Sequence, residues 1–276
     1  MKRAARLWLI ELLAYWEGKI NTRPIQQRFK LSRQSCSELF RHYRSQNPDN
    51  LCYDRHLKAY VLGEHFKARY IDQSVDEYLN WLCYQTLPAP ADREPPNISM
   101  TRLAPPRRYV SPVIMRSLIL AMREKQRIDI EYLSVASSDP EGRIIAPHSL
   151  VKTATRWHVR AWCEKRQQFL DFVLSRFKGQ PVMEGPAQYH EADDEIWNTW
   201  VDIEVAPDQR LSPAQKQIIE ADFGMVSGKL VLPTRAPLVK YTLDDMQIKT
   251  KMIEARPEAQ QLVCVNYNDI KQWLFE

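Results

Sequence analysis

The chain has 276 residues, 44% hydrophobic and 26% charged, with 18 prolines, seven glycines and five cysteines. This composition argues against a wholly disordered chain, and the lack of any run of about 18 uncharged apolar residues argues against a helical membrane protein. The formal net charge of +5 conceals a split, because residues 1–190 hold 30 Lys/Arg against 19 Asp/Glu and residues 191–276 hold 9 against 15. Neither GxGxxG nor GxxxxGKS/T occurs, which sets aside nucleotide enzymes of the Rossmann and P-loop types. Cys36, Cys52, Cys83, Cys163 and Cys264 form no CxxC pair, so neither a zinc knuckle nor a disulfide framework is expected. A reducing, cytoplasmic setting fits best.

Lys2, Arg3 and Arg6 before LWLIELLAYW imitate a signal peptide. Glu11 interrupts that apolar run and no small-residue cleavage site follows, so the segment reads as an amphipathic helix. Ala5, Leu9, Leu12, Leu13 and Trp16 form its buried stripe over 3–17. Gly18 ends it. Asn21 and Thr22 are cap candidates for a short helix at 23–29, with Pro24 in its first turn and Ile25 and Phe29 inward. Lys30-Leu31 turn the chain, and Ser32 caps a third helix over 33–46. Its core face is Cys36, Leu39, Phe40 and Tyr43, and its polar face is Arg33, Gln34, Ser37, Arg41 and Arg44. A hairpin of 51–54 and 58–62 follows, joined by Arg55-His56-Leu57. A helix at 74–84 turns Val75, Tyr78, Leu79 and Leu82 inward, and residues 88–107, with six prolines, read as a linker.

After a helix at 111–126 the hydrophobic period changes to two: Ile128, Ile130 and Tyr132 alternate with Asp129 and Glu131. Strands at 142–147, 156–163 and 168–175 suggest a small antiparallel barrel. Within 156–162, alternation puts Trp157, Val159 and Ala161 on one face and His158, Arg160 and Trp162 on the other, outward one. Glu191, Asp193, Asp194 and Glu195 mark an acidic joint. Beyond it come strands at 200–205, 229–232 and 261–267 and helices at 212–222 and 237–247. The fold class is α+β and multidomain, with boundaries at 1–87, 88–107 (linker), 108–190 and 197–276.

Three short helices and a hairpin are the order of a winged helix-turn-helix. The basic excess over 21–45 suits phosphate contacts. Arginine reads guanine bidentately and glutamine can read adenine, from the N-terminal turns of such a helix. Arg33, Gln34 and Ser37 are therefore the base-reading candidates, and Arg41 and Arg44 the phosphate contacts. Thr22 and Ser32 add hydroxyl or helix-terminal contacts. Arg55, His56 and Lys58 suit a wing tip on the backbone or minor groove.

The middle segment runs IEYLS, GRIIAPHSLV, RWHVRAW and FLDFVLSRF. It resembles the WYL domain, a small Sm-like or SH3-like β-barrel of bacterial transcription regulators. The naming Trp-Tyr-Leu run stands here as Trp157-His158-Val159. Tyr132 and Ser134 end the first strand, Arg143, Pro147 and His148 fit the family's R…PH element, Arg160 follows the naming run, and Ser175-Arg176 closes the last strand. With the winged helix before it and an α+β extension after it, the chain is similar to the BrxR and CapW group of phage-defence repressors. That resemblance implies a nucleotide or nucleic-acid effector held by Tyr132, Ser134, Arg143, His148, His158, Arg160 and Arg176. It also implies a C-terminal WCX-like domain that supports a homodimer, often by exchange between chains. Arginines beside hydroxyls and imidazoles suit an anion in any case.

His190-Glu191 and the nearby acids lack HExxH or a second histidine at ligand spacing, so no catalytic residue, metal or cofactor is expected. The reading is a sequence-specific repressor on an inverted-repeat operator of duplex DNA, with no membrane partner. An activator of the same architecture and a nucleic-acid-sensing adaptor are the alternatives.

Overall fold

The computed structural model describes residues 2–88, 106–135, 141–250 and 254–274. The expected linker at 88–107 lies almost wholly outside them. The chain divides into two units, Met1–Pro147 with Val159–Ala187, and His148–His158 with Gln188–Glu276.

The first unit begins with α1 (Lys2–Glu17), whose buried face is wider than the expected stripe: Leu7 through Ala14 are all buried, Glu11 among them. Gly18 stops the helix at φ +77°, a conformation that costs glycine nothing. Strand β1 (Lys19–Ile20) leads to α2 (Thr22–Phe29), where Asn21 is the cap and Thr22 the first helical residue. Lys30 takes a left-handed conformation at φ 52° and turns the chain into α3 (Arg33–Gln46). Ser32 caps α3, its Oγ accepting from Ser35 N at 3.1 Å. Cys36, Leu39, Phe40 and Tyr43 are buried, as the helical period requires. Strands β2 (Leu51–Asp54) and β3 (Ala59–Leu62) make the hairpin, and β1 joins it in the order β1-β3-β2. Helix α4 (Val75–Tyr84) buries Val75, Tyr78, Leu79 and Trp81, with Leu82 only half-buried.

Helix α5 (Pro112–Glu124) turns Ile114, Met115, Leu118, Ile119 and Ala121 inward and packs on both α1 and the central sheet. That sheet holds β4 (Gln126–Tyr132), β5 (Glu141–Lys152), β6 (Trp157–Cys163), β7 (Gln168–Val173) and β8 (Phe177–Pro186), in the order β7-β6-β5-β4-β8. The four-residue links β5–β6 and β6–β7 are too short for a parallel crossover, so those neighbours are antiparallel, as are β4–β5 and β4–β8. Strand β8 escapes the sequence reading for a physical reason. Gly179, Pro181, Gly185 and Pro186 read as loop punctuation, yet proline is tolerated on a strand at the end of a sheet.

The second unit contains α6 (Glu195–Asn198), β9 (Trp200–Pro207), α7 (Pro213–Asp222), β10 (Leu230–Arg235), α8 (Val239–Asp245), α9 (Pro257–Gln260), β11 (Leu262–Cys264) and α10 (Tyr267–Ile270). Its sheet runs β10-β9-β11 over a core of Ile203, Val205, Leu211, Ile219, Val239, Leu243, Ile248, Leu262 and Ile270. The strand expected to 267 stops at Cys264. Asn266 then takes the ladder's place, accepting from Glu204 N at 2.9 Å and donating to Asp202 O at 2.8 Å. The acidic joint at 191–195 is ordered: Asp194 is buried, and its carboxylate caps α6 by accepting from Trp197 N at 3.0 Å.

Candidate nucleic-acid interface and ligand site

Burying Cys36, Leu39, Phe40 and Tyr43 fixes which face of α3 meets solvent. Arg33, Gln34, Ser37, Arg41 and Arg44 are all exposed on it. Arg33 is the first residue of the helix and is exposed. Gln34 donates to Glu38 at 3.3 Å, an exposed bond that a base edge can replace. The Ser37 hydroxyl donates to the Arg33 carbonyl at 3.0 Å. Arg44 lies over the ring of Tyr60 on β3, 5.8 Å from its centroid, and Phe40 stacks on the same ring at 4.7 Å. Tyr53 on β2 meets Tyr60 edge-on at 5.1 Å, so aromatic contacts tie the recognition helix to the hairpin. At the hairpin tip, the Asp54 carboxylate accepts from His56 N at 2.8 Å and Leu57 N at 2.9 Å. The turn so fixed presents Arg55, His56 and Lys58 to solvent. Thr22 is half-buried, its hydroxyl bonded to Gln26, and Ser32 is committed to its cap. Both still mark helix N-termini.

Two arginines of α5 clamp the C-terminal end of α1. Arg116 donates twice to the Tyr15 carbonyl, at 2.8 and 2.6 Å. Its Cδ lies 3.2 Å from where a Cβ on Gly18 would sit, so Gly18 serves this approach as well as the turn. Arg123 grips the Glu17 carboxylate bidentately at 2.5 and 2.7 Å, and the Tyr78 hydroxyl donates to the same group at 3.0 Å. The helix that leads the central sheet thus holds the winged helix directly.

The residues expected to hold an effector divide between the units. In the first, Tyr132 on β4 is buried, its hydroxyl accepting from Val173 N at 3.1 Å. Arg143 on β5 is 7% exposed, lies over the Tyr132 ring at 6.0 Å and approaches Cys163 Sγ at 3.9 Å. Arg160 on β6 is 4% exposed and pairs with Asp171 on β7 at 3.1 Å. Ser134 and Arg176 are half-buried just past β4 and β7. In the second unit, His148 Nε2 is 3.3 Å from the Asp194 carboxylate and its Nδ1 is 2.9 Å from Ser149 Oγ. His158 packs against Tyr241 with ring centroids 5.0 Å apart. Strand β6 is covered on both faces. His158 and Arg160 are buried, contrary to the outward face that alternation implies, because a two-sided cover hides both residue sets. Asp171, the carboxylate beside Arg160, was not singled out in the sequence, and Asp194, beside His148, was read there only as part of an acidic joint. The signal for Asp171 is indirect, since a buried arginine requires a counter-charge.

A helix-turn-helix with a wing, clamped to a helix-led five-stranded sheet, defines a winged-helix WYL regulator. Residues 2–84 match the winged helix-turn-helix domain of the BrxR transcriptional regulator, residues 113–180 the WYL domain, and residues 200–270 the C-terminal dimerization domain of the BrxR transcriptional regulator. The chain is 33% identical to the DNA-binding transcriptional repressor CapW of Pseudomonas aeruginosa, covering 96% of this chain and 90% of that protein. It is 32% identical to CapW of Escherichia coli (strain KTE188), over 96% and 89%, and 30% identical to CapW of Stenotrophomonas maltophilia, over 98% and 92%. The chain belongs to the CapW family of DNA-binding transcriptional repressors. Among the described residues no helix is long and apolar enough to cross a membrane.

Proposed function

We propose that the chain is a homodimeric, non-catalytic repressor acting in the cytoplasm. It binds an inverted-repeat operator of duplex DNA and controls a phage-defence operon. The observation that carries this reading is the exposed face of α3, cationic at both ends and backed by a fully buried opposite face, beside a rigid, basic wing. Arg33, Gln34 and Ser37 read bases, while Arg41, Arg44 and the wing tip meet phosphates. A nucleotide or nucleic-acid effector acts through the WYL domain, and α5 passes its effect to α1 through the Arg116 and Arg123 clamps. The repression of such relatives by name, and their match over nearly the whole chain, support this.

The test begins with an operator selected from a random duplex library. Arg33→Ala and Gln34→Ala are each expected to lose about 1–3 kcal/mol on that operator and little on scrambled DNA, the worth of a bidentate base contact. Arg44→Ala is expected to weaken both duplexes alike and to flatten the salt dependence. Equal loss on both duplexes in Arg33→Ala would remove that residue from base reading.

A further inference from the structure

Glu11 is wholly buried in the middle of α1. One of its carboxylate oxygens accepts from three successive backbone N–H groups, those of Arg69 at 2.6 Å, Tyr70 at 2.8 Å and Ile71 at 3.3 Å. The other accepts from the Tyr43 hydroxyl at 2.7 Å. Burial pushes the Tyr43 phenol above its ordinary value, which keeps it a donor. Asn50 completes the clamp. Its side chain accepts from Lys67 N at 2.9 Å and donates to Lys67 O at 2.8 Å and to Tyr43 Oη at 2.9 Å. At the loop's entry, a Cβ on Gly63 would lie 1.9 Å from the Asp49 carbonyl. The loop from Gly63 to Ile71 is thereby pinned beside the last turn of α3, where the Tyr70 hydroxyl donates to Gln46 at 3.3 Å.

A buried carboxylate is costly unless fully hydrogen-bonded. A mere connection from β3 to α4 does not call for one. What the clamp produces is a fixed backbone with His65, Lys67 and Arg69 exposed along it and only Glu64 opposing them. Arg69 is further ordered over the Tyr70 ring at 5.8 Å. Tyr70 sets this edge against the last turns of α3, the helix that carries Arg41 and Arg44.

We propose that this loop is a second wing, in which Lys67 and Arg69 contact the phosphate backbone of duplex DNA beside the C-terminal end of α3. The proposal rests on the reading of the N-terminal region as DNA-binding. Its test is the double variant Lys67→Ala with Arg69→Ala, titrated against a random-sequence duplex at several salt concentrations. The clamp uses only the backbone of both residues, so the variant is expected to melt at the wild-type temperature. Two lost phosphate contacts make the log–log salt slope shallower by about 2 for each winged helix engaged. Affinities for scrambled and selected duplexes fall by the same factor. A wild-type salt slope in the folded variant overturns the second wing alone. A wild-type protein that binds no duplex at low salt overturns the DNA-binding reading beneath it.

Discussion

Arg160 shows how far single residues can be judged without their neighbours. Its place on a strand and its type suggest an outward cation offered to an anionic effector. In the structure its side chain is 5% exposed and the carboxylate of Asp171 is 7% exposed, with 3.1 Å between them. Removing one partner of such a pair leaves the other charge buried, at a cost of about 3–5 kcal/mol, whereas replacing both by apolar groups of similar size is often neutral. Arg160→Ala is therefore expected to lower the urea midpoint by an amount in that range, and Arg160→Met with Asp171→Leu to recover most of it. An Arg160→Ala variant as stable as the wild type would mean that the pair with Asp171 contributes no net stability. By contrast, Arg33, Gln34, Ser37, Arg41 and Arg44 were legible on α3, because a helix with four apolar residues at i, i+3, i+4 and i+7 has only one other face. Glu11 was half legible. It stands out in an apolar run, but the three amides it serves are 58 to 60 residues away.

Elements with strong punctuation were read to within a residue or two: the cap at Ser32, the turn at Lys30 and the ends of α7 agree with their sequence signals. Strand β8 and the loop before α4 were not, since the first is disguised by glycine and proline and the second has no period at all. The start of α4 carries its own chemistry. Glu77 is its third residue; its carboxylate accepts from Trp8 Nε1 at 2.6 Å and from Asp72 N at 3.0 Å. Burial pushes the Glu77 carboxyl up to about 7, against the Trp8 N–H that favours its charged form, and the Asp72 carboxylate adds to the rise. Despite its own partial burial, Asp72 is held low by the Ser74 amide and hydroxyl, by Glu77 and by Arg107. The folded state thus keeps a proton on Glu77 that the unfolded chain releases at lower pH. Stability contributed at this position is present below the ordinary glutamate range and is lost as pH rises toward about 7. Glu77→Gln is expected to flatten the fall of the thermal midpoint across that interval. An unchanged pH profile would mean that Glu77 is ionised throughout.

At the scale of the whole molecule, one recognition helix and one or two wings give a single chain few contacts for tight, specific binding, so the proposed dimer is expected to engage two half-sites a whole number of helical turns apart, about 34–36 Å per turn. The acidic excess of residues 191–276 suits a protein contact better than a DNA contact. Strand alternation in its sheet sends Val201, Ile203 and Val205 inward and leaves Trp200, Val231 and Val265 outward, 61%, 49% and 40% exposed. These apolar groups share the outward side with Asp202 and Glu204, a mixed surface that suits the proposed dimer contact. Arg235 stacks on Trp200 at 5.0 Å and on Trp197 at 4.7 Å, which holds the Trp200 ring in place without covering it. Val231→Arg places a bulky cation on the edge strand of that face, opposite Glu204, and touches none of the buried core. The expected outcome is a folded chain that runs as a monomer in light scattering. It should still bind a single half-site as the wild type does, and lose the extra affinity that two linked half-sites confer. A variant that stays dimeric would move the interface to another surface of the C-terminal unit, and one that is monomeric yet binds the full operator undiminished would remove dimerisation from the recognition of DNA.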